Sequence, residues 1–346
     1  MKYSRNTLNK AGQTIISEED VFKVAEATTM IDDWRALHQP VLENMSAQVE
    51  QILATNNIPV AFSSKRLKRM TSIVDKLKHN PKMGLGGVQD IGGARFAFED
   101  IPTLLSAYQL LQNTPLDDFS QERTYNYVQT PKESGYRSIH FVYKYHSKEV
   151  DKDGLLVELQ IRTRLQHDWA TAVETAELIS QSPLKASVGD EQWQNYFKLV
   201  SAIFARQENQ AVSANYANFT EADFCKQYDK VENEHKFTEQ LSSLVGAVRI
   251  TSEKSFSKGY VVVHINYENH ISQLRHFTSE EVGAANELYS KVESSIDRKK
   301  GAVVLVSVSD MTELLEAYPS YFLNAKEFID ALLQFHNGCR LSGHIT

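Results

Sequence analysis

Apolar positions recur at helical spacing through Val21, Val24, Ile31, Trp34, Leu37 and Leu42. The pattern predicts a helix over 18–56 that Pro40 breaks or kinks. A short apolar segment runs from Ile58 to Phe62. Met70, Ile73, Val74 and Leu77 predict a second helix over 69–79, ended by Asn80-Pro81. Ala94 to Phe98 reads as a strand and 101–112 as a helix; strand-like segments follow at 122–129, 137–145 and 154–162, then helices at 165–179 and 190–209. A polar stretch near 207–235 is a linker or a connecting helix. Beyond it, 246–251, 259–266 and 302–308 read as strands, and 279–297 and 325–335 as helices.

Strands with helices between and after them predict an α/β (α+β) mixed sheet flanked by helices, with a smaller C-terminal α+β domain. The expected division is 1–210, with its motifs in 50–180, then a connector at 211–235, then 236–346. Strand 154–162 carries the clearest alternation. Leu155, Val157, Leu159 and Ile161 point one way, and Glu158, Gln160 and Arg162 the other. The polar side is either a solvated face or a chemically loaded one.

Composition narrows the classes. The 346 residues are 42% hydrophobic, enough for a packed core, and the net charge of −7 excludes a polycation that binds nucleic acid along its whole length. An anion site must come from local basic clustering. The two cysteines, Cys225 and Cys339, lie far apart without metal-ligand spacing, so neither a disulfide framework nor a zinc site is expected. The polar N-terminus and the absence of a long apolar run predict a soluble, cytoplasmic chain with no membrane association.

Four segments hold candidate chemistry. From Lys65 to Lys82 there are seven basic residues and one acid, with Ser72 and Lys76 one helical turn apart, which suits a triphosphate or a solvated basic helix. Asp90-Ile91-Gly92-Gly93-Ala94-Arg95 places a Mg²⁺-type carboxylate beside a flexible turn, or is an ordinary turn before a strand. Lys132-Glu133-Ser134-Gly135-Tyr136-Arg137-Ser138-Ile139-His140 presents a tyrosine among basic residues, as a base platform or a plain hairpin. Glu158-Leu159-Gln160-Ile161-Arg162-Thr163 runs on to His167, which opens a helix and is expected near Glu158.

Taken in order, the segments spell R-x-K-x-x-x-S-I-x-x-K, D-x-x-G-x-R, K-x-x-G-Y-x-S-x-H and E-x-Q-x-R-T. This set resembles the RelA/SpoT alarmone synthetases over about two-fifths of the chain. The resemblance implies a nucleotidyltransferase-like fold and an ATP-dependent pyrophosphokinase acting on the ribose 3′-OH of GDP or GTP. It assigns Arg66 and Arg95 to adenine; Lys68, Ser72 and Lys76 to the ATP phosphates; and Asp90 and Glu158 to catalysis and Mg²⁺. Lys132, Tyr136, His140, Gln160, Arg162 and His167 fall to the acceptor. One departure is Asn126-Tyr127, where many relatives have Asp-Tyr. With about 50 residues ahead of the motifs, the expectation is synthesis without hydrolysis.

Three functions stay open: a guanosine alarmone synthetase; a toxin-like relative that modifies a tRNA 3′ end or makes adenosine alarmones; and an inactive nucleotide sensor. Retention of both Asp90 and Glu158 speaks against the sensor. The C-terminal region is a candidate restraint or the target of a protein trigger, with Tyr318 and Tyr321 as a plug for the ATP site or as an aromatic turn of their own domain. Oligomeric state is open.

Overall fold

A computed structural model describes residues 2–180, 191–242, 249–251, 258–266, 271–296, 300–308, 311–319 and 325–345. Helix α1 (Arg5–Ser17) opens the chain. Its polar sequence gave no helical signal, yet Ser4 caps it by accepting from Thr7 N at 3.1 Å. Leu8 and Gly12 are buried, and a Cβ at Gly12 would meet Leu85 Cβ at 2.8 Å, so the helix sits close on the 85–87 turn.

Helix α2 (Val21–Thr55) runs unbroken through Pro40, against the expected break. Ile31, Trp34, Val41, Leu42, Met45 and Val49 are all buried on both sides of the proline, and this continuous core contact outweighs the roughly 3 kcal/mol that an interior proline costs.

The basic cluster is split between strand β1 (Phe62–Leu67) and helix α3 (Met70–His79). There follow β2 (Gly92–Phe98), α4 (Ile101–Asn113), β3 (Phe119–Asn126), β4 (Ile139–Tyr145) and β5 (Leu156–Thr163). Helices α5 (Arg164–Ser180), α6 (Glu191–Gln207), α7 (Glu221–His235) and α8 (Phe237–Ser242) come next. The chain closes with β6 (Arg249–Thr251), β7 (Gly259–Asn266), β8 (Ile271–Phe277), α9 (Val282–Ser295), β9 (Gly301–Val308), α10 (Met311–Ala317) and α11 (Lys326–Leu341). The segment 211–235 is thus mostly the capped helix α7.

Among the described residues, nine strands form one mixed sheet in the order β3-β4-β5-β2-β1-β9-β7-β8-β6. The pairs β2–β5 and β6–β8 are parallel. The C-terminal strands continue the sheet of the motif region: Lys65 pairs with Ser307 and Arg66 with Val306. One face carries the core of α1, α2, α3 and α4 against Phe96, Phe141, Leu159 and Ile161. By register α9 lies on that face too, over Val303 and Leu305. The other face holds α10 over Phe62, Ala97 and Val306. Helices α5, α6, α7, α8 and α11 form an aromatic cluster of their own. Residues 236–346 therefore contribute both to the sheet and to the helical layer of the first half.

Cys225 and Cys339 form a disulfide that joins α7 to α11, with Cα atoms 5.6 Å apart. This corrects the expectation of unpaired cysteines. A separation of 114 residues says nothing about proximity when two helices pack side by side.

Candidate active site

Strand register builds the floor. Arg66 pairs with Gly93, Gly93 with Glu158, Arg95 with Gln160, and Gln160 with His140. Cross-strand partners share a face, so these side chains all stand on one side of the sheet. Their neighbours Ala94, Leu159 and Phe141 point into the core, as the two-residue period requires. The polar side of 154–162 is thus a site wall. Gly93 lies between Arg66 and Glu158. A Cβ there would meet nothing nearer than the Glu158 carbonyl oxygen at 4.0 Å. Steric necessity does not require this glycine; its bareness leaves the floor open.

Asp90 precedes β2 and meets two lysines of the basic segment. Lys68 Nζ donates to Oδ2 at 2.6 Å and Lys76 Nζ to Oδ1 at 2.8 Å. Burial would raise the Asp90 pKa, but the two ammonium groups outweigh it and hold the carboxyl well below the usual range. Burial lowers the pKa of Lys68, partly offset by Asp90. Lys68 N also donates to Ile91 O at 2.8 Å, which fixes the end of β1 against the Asp90 turn.

Glu158 is held from two sides. Gln160 Nε2 donates to Oε1 at 2.6 Å, and His140 Nδ1 lies 3.3 Å from Oε2. The other nitrogen of His140 lies 2.9 Å from the Tyr136 hydroxyl. Burial opposes protonation of His140, but Tyr136 and Glu158 outweigh it and raise its pKa to about 9. Burial likewise opposes ionisation of Glu158, and the hydrogen bond from His140 more than compensates, leaving its pKa lowered. Lys132 Nζ stands 4.4 Å over the Tyr127 ring and 5.1 Å from the centre of Tyr136. Gly135 adopts a φ of 91°, and Ser201 of α6 donates to its carbonyl, tying the loop to the helical layer.

A cavity of about 270 Å³ is lined by Arg66, Lys68, Arg95, Lys132, Tyr136, His140, Gln160 and Arg162. It abuts a narrow cleft of about 40 Å³ lined by Asp90, Glu158, Gly93 and again Arg66, Lys68, Arg95 and Gln160. Sequence reasoning missed part of the wall. Trp169, Glu174, Gln194, Phe197 and Lys198 line the larger space from α5 and α6. Tyr318, which the sequence offered as a plug or as part of an aromatic turn, lines the cleft. Gln194 and Lys198 sit one turn apart on a helix without a motif, so only their shared helix face marked them in the sequence. Tyr318 is buried, and its hydroxyl donates to Lys65 O at 2.8 Å; Tyr321 lies outside the described residues.

Some candidates stand elsewhere. His167 makes no hydrogen bond or ion pair with Glu158. It is buried beneath the site, its Nδ1 2.6 Å from Arg162 Nη2 and its ring 4.7 Å from Phe62. Burial and then Arg162 push its pKa well down, so it is the neutral acceptor of the arginine. The start of α5 carries His167 across the sheet toward β1, which the alternation of β5 could not reveal. Ser72 lies on α3, four residues before Lys76; neither lines either space, and α3 reaches the cleft through the bond from Lys76 to Asp90. Asn126 accepts from Val128 N and Gln129 N, so its carbonyl oxygen shapes the turn before the Lys132 loop.

The residues fit a magnesium ion. Asp90 and Glu158 are hard oxygen donors lining one cleft, and their charges are felt mutually. Magnesium needs one or two protein carboxylates when substrate phosphates complete its shell. Among the described residues no group of three or more His, Cys, Asp or Glu is placed to hold a metal by itself.

The face brings together paired carboxylates, a basic segment and an aromatic loop on a mixed sheet. Residues 65–179 match the family model described as the region found in RelA/SpoT proteins. GTP pyrophosphokinase YjbM of Bacillus subtilis (strain 168) is 33% identical over 116 residues, 33% of this chain and 54% of that one. The chain thus spans about half the length of that relative. GTP pyrophosphokinase YwaC of the same organism is 25% identical over 157 residues, 41% of this chain and 74% of that one. Among solved structures, small alarmone synthetase 2 from Bacillus subtilis is 21% identical with a TM-score of 0.43, covering 51% of this chain and 92% of that one. Small alarmone synthetase 1 from the same organism, bound to its product pppGpp, is 23% identical with a TM-score of 0.42, covering 50% and 89%.

No helix among the described residues is long and apolar enough to cross a membrane.

Proposed function

We propose that the chain transfers the β,γ-pyrophosphate of ATP to the ribose 3′-OH of GDP or GTP, making (p)ppGpp. The observation that carries the reading is the shared floor: Arg66, Lys68, Arg95 and Gln160 line both the Asp90–Glu158 cleft and the cavity that holds Tyr136. Two nucleotides can therefore meet over one pair of carboxylates. Arg66 and Arg95 flank the adenine; Lys68, Ser72 and Lys76 take the phosphates; Tyr136 stacks on the acceptor base, with Lys132 and His140 beside it. Asp90 and Glu158 would hold a magnesium ion, which supplies charge neutralisation on the phosphates.

The 3′-oxygen bonds to the β-phosphorus, the bond from that phosphorus to the α-bridging oxygen breaks, and AMP leaves. Glu158, oriented by Gln160 and His140, polarises the acceptor hydroxyl, whose proton passes to solvent. Glu174 and Lys198 support a guanine acceptor. A carboxylate accepts from the N1–H and N2–H₂ donors of guanine, and an ammonium donates to its O6, whereas adenine offers no such edge.

The test uses ATP labelled in the γ-phosphate with GDP, GTP, ATP and tRNA in separate reactions. Label in GDP or GTP, with AMP released, is expected. Label in tRNA alone overturns the acceptor, and nucleotide binding without AMP release overturns the reaction. Asp90→Asn and Glu158→Gln are each expected to lower turnover on the order of 100-fold or more.

One observation favours a restrained form of this enzyme. Tyr318, from the C-terminal region, lines the carboxylate cleft. Tyr318→Ala is expected to raise turnover if the ring occupies substrate space; unchanged or lowered turnover removes the restraint.

A further inference from the structure

Helix α3 carries Ser72 and Lys76, but its own N-cap residue, Arg69, makes no side-chain capping bond. The cap comes from 223 residues away: Glu293 Oε1, on α9, accepts from Met70 N at 2.7 Å. The second oxygen of that carboxylate lies 3.3 Å from Arg35 Nη1 on α2. Arg35 is 3% exposed; it also bonds Asp32 and donates to the Tyr289 hydroxyl of α9 at 2.8 Å. The Glu293 side chain itself is 6% exposed. A buried carboxylate, braced by a buried arginine, thus seals the first turn of the helix on which Lys76 reaches Asp90.

We propose that Glu293 is a positioning residue for ATP: it fixes the first turn of α3, and through it Ser72 and Lys76, so the C-terminal region sets the phosphate-binding geometry. The inference rests on the assignment of these residues to ATP. A free N–H at the first turn lets the helix start fray, since first-turn donors have no partner within the helix. Ser72 lies two residues beyond the bonded amide and Lys76 six, on the same short helix. Loss of the cap therefore displaces the phosphate ligands while the far wall of the acceptor cavity, on β4, β5, α5 and α6, keeps its shape.

The role differs from stability alone in what it moves. Glu293→Ala is expected to raise KM for ATP about fivefold to tenfold and leave KM for the acceptor unchanged. Direct binding of a non-hydrolysable ATP analogue should weaken by the same factor. Glu293→Gln keeps a carbonyl oxygen for Met70 N and is expected to restore most of the affinity. Arg35 retains Asp32 and Tyr289 in both variants, and both are assayed below their unfolding midpoints. Equal losses in the two variants, an unchanged KM for ATP, or a matching rise in KM for the acceptor would each overturn the inference. A wild-type chain that binds no ATP analogue overturns the ATP assignment and this inference with it. Wild-type binding matched by Glu293→Ala overturns the inference alone.

Discussion

Gly93 is the position where absence of a side chain matters most. It sits in β2 between Arg66 and Glu158, and a Cβ would find room. Valine suits a strand interior better than glycine, so Gly93→Val should fold at least as well as the parent. Its methyl groups would fill the floor where the proposed reaction brings phosphates to the carboxylates. Turnover is expected to fall on the order of tenfold or more with an unchanged or higher melting temperature. A variant with normal activity would show that the floor is not used. Much of the site was legible at this scale. Glu158, Gln160 and Arg162 alternate with core residues, and period two alone sends them to one face. His167 was misread because the path of α5 over the sheet decides its place, and no local pattern encodes a crossing direction. The cap from Glu293 was invisible for the same reason, since it joins α9 to α3 across the fold.

Elements with a strong period were legible too: α3, α4, β5 and α6 stand close to their predicted bounds. Strand β8 was not, because its sequence ISQLRHF has few apolar positions, and α10 is too short to show a period. Helices α5, α7 and α11 meet through contacts that the sequence hides. Cys225–Cys339 closes a loop of 114 residues between α7 and α11, worth on the order of 4–5 kcal/mol by chain entropy. Reduction should lower the melting temperature, and Cys225→Ser should reproduce the loss without reductant.

Asp168 on α5 adds a pH dependence. Burial, then Glu327 of α11, push its carboxyl up to about 7; Glu99 acts in the same direction, while Arg162 and Arg164 oppose. A carboxyl whose folded pKa is raised binds a proton that the unfolded chain has released. Its contribution to stability is full below about pH 4 and is lost as pH rises to about 7. Asp168→Asn should remove this decline. Denaturation midpoints across that window check it, and parallel curves for the two proteins would refute it.

At the scale of the whole molecule, the two halves share one sheet. Strand β9 covers the edge of β1, Glu293 caps α3, and Phe328 and Leu332 of α11 are buried in the cluster that also holds Trp169 and Phe197. A shortened chain ending at residue 235 would expose the unpaired edge of β1 and the apolar underside of α5 and α6. Exposed strand edges template aggregation, and an uncovered aromatic cluster adds to the drive. Such a chain is expected to aggregate or to show reduced secondary structure, as size-exclusion chromatography and circular dichroism would report. The expected division at 211–235 treats 1–210 and 236–346 as separate domains, and a domain in that sense has its own core. If residues 1–235 prove soluble, folded and active, the C-terminal region is an appendage, and β9 merely docks on a strand that tolerates its loss. If they collapse and a separately expressed 236–346 restores folding, the sheet has been rebuilt from two pieces. In that case residues 236–346 are part of the catalytic fold, and any restraint by Tyr318 operates inside it.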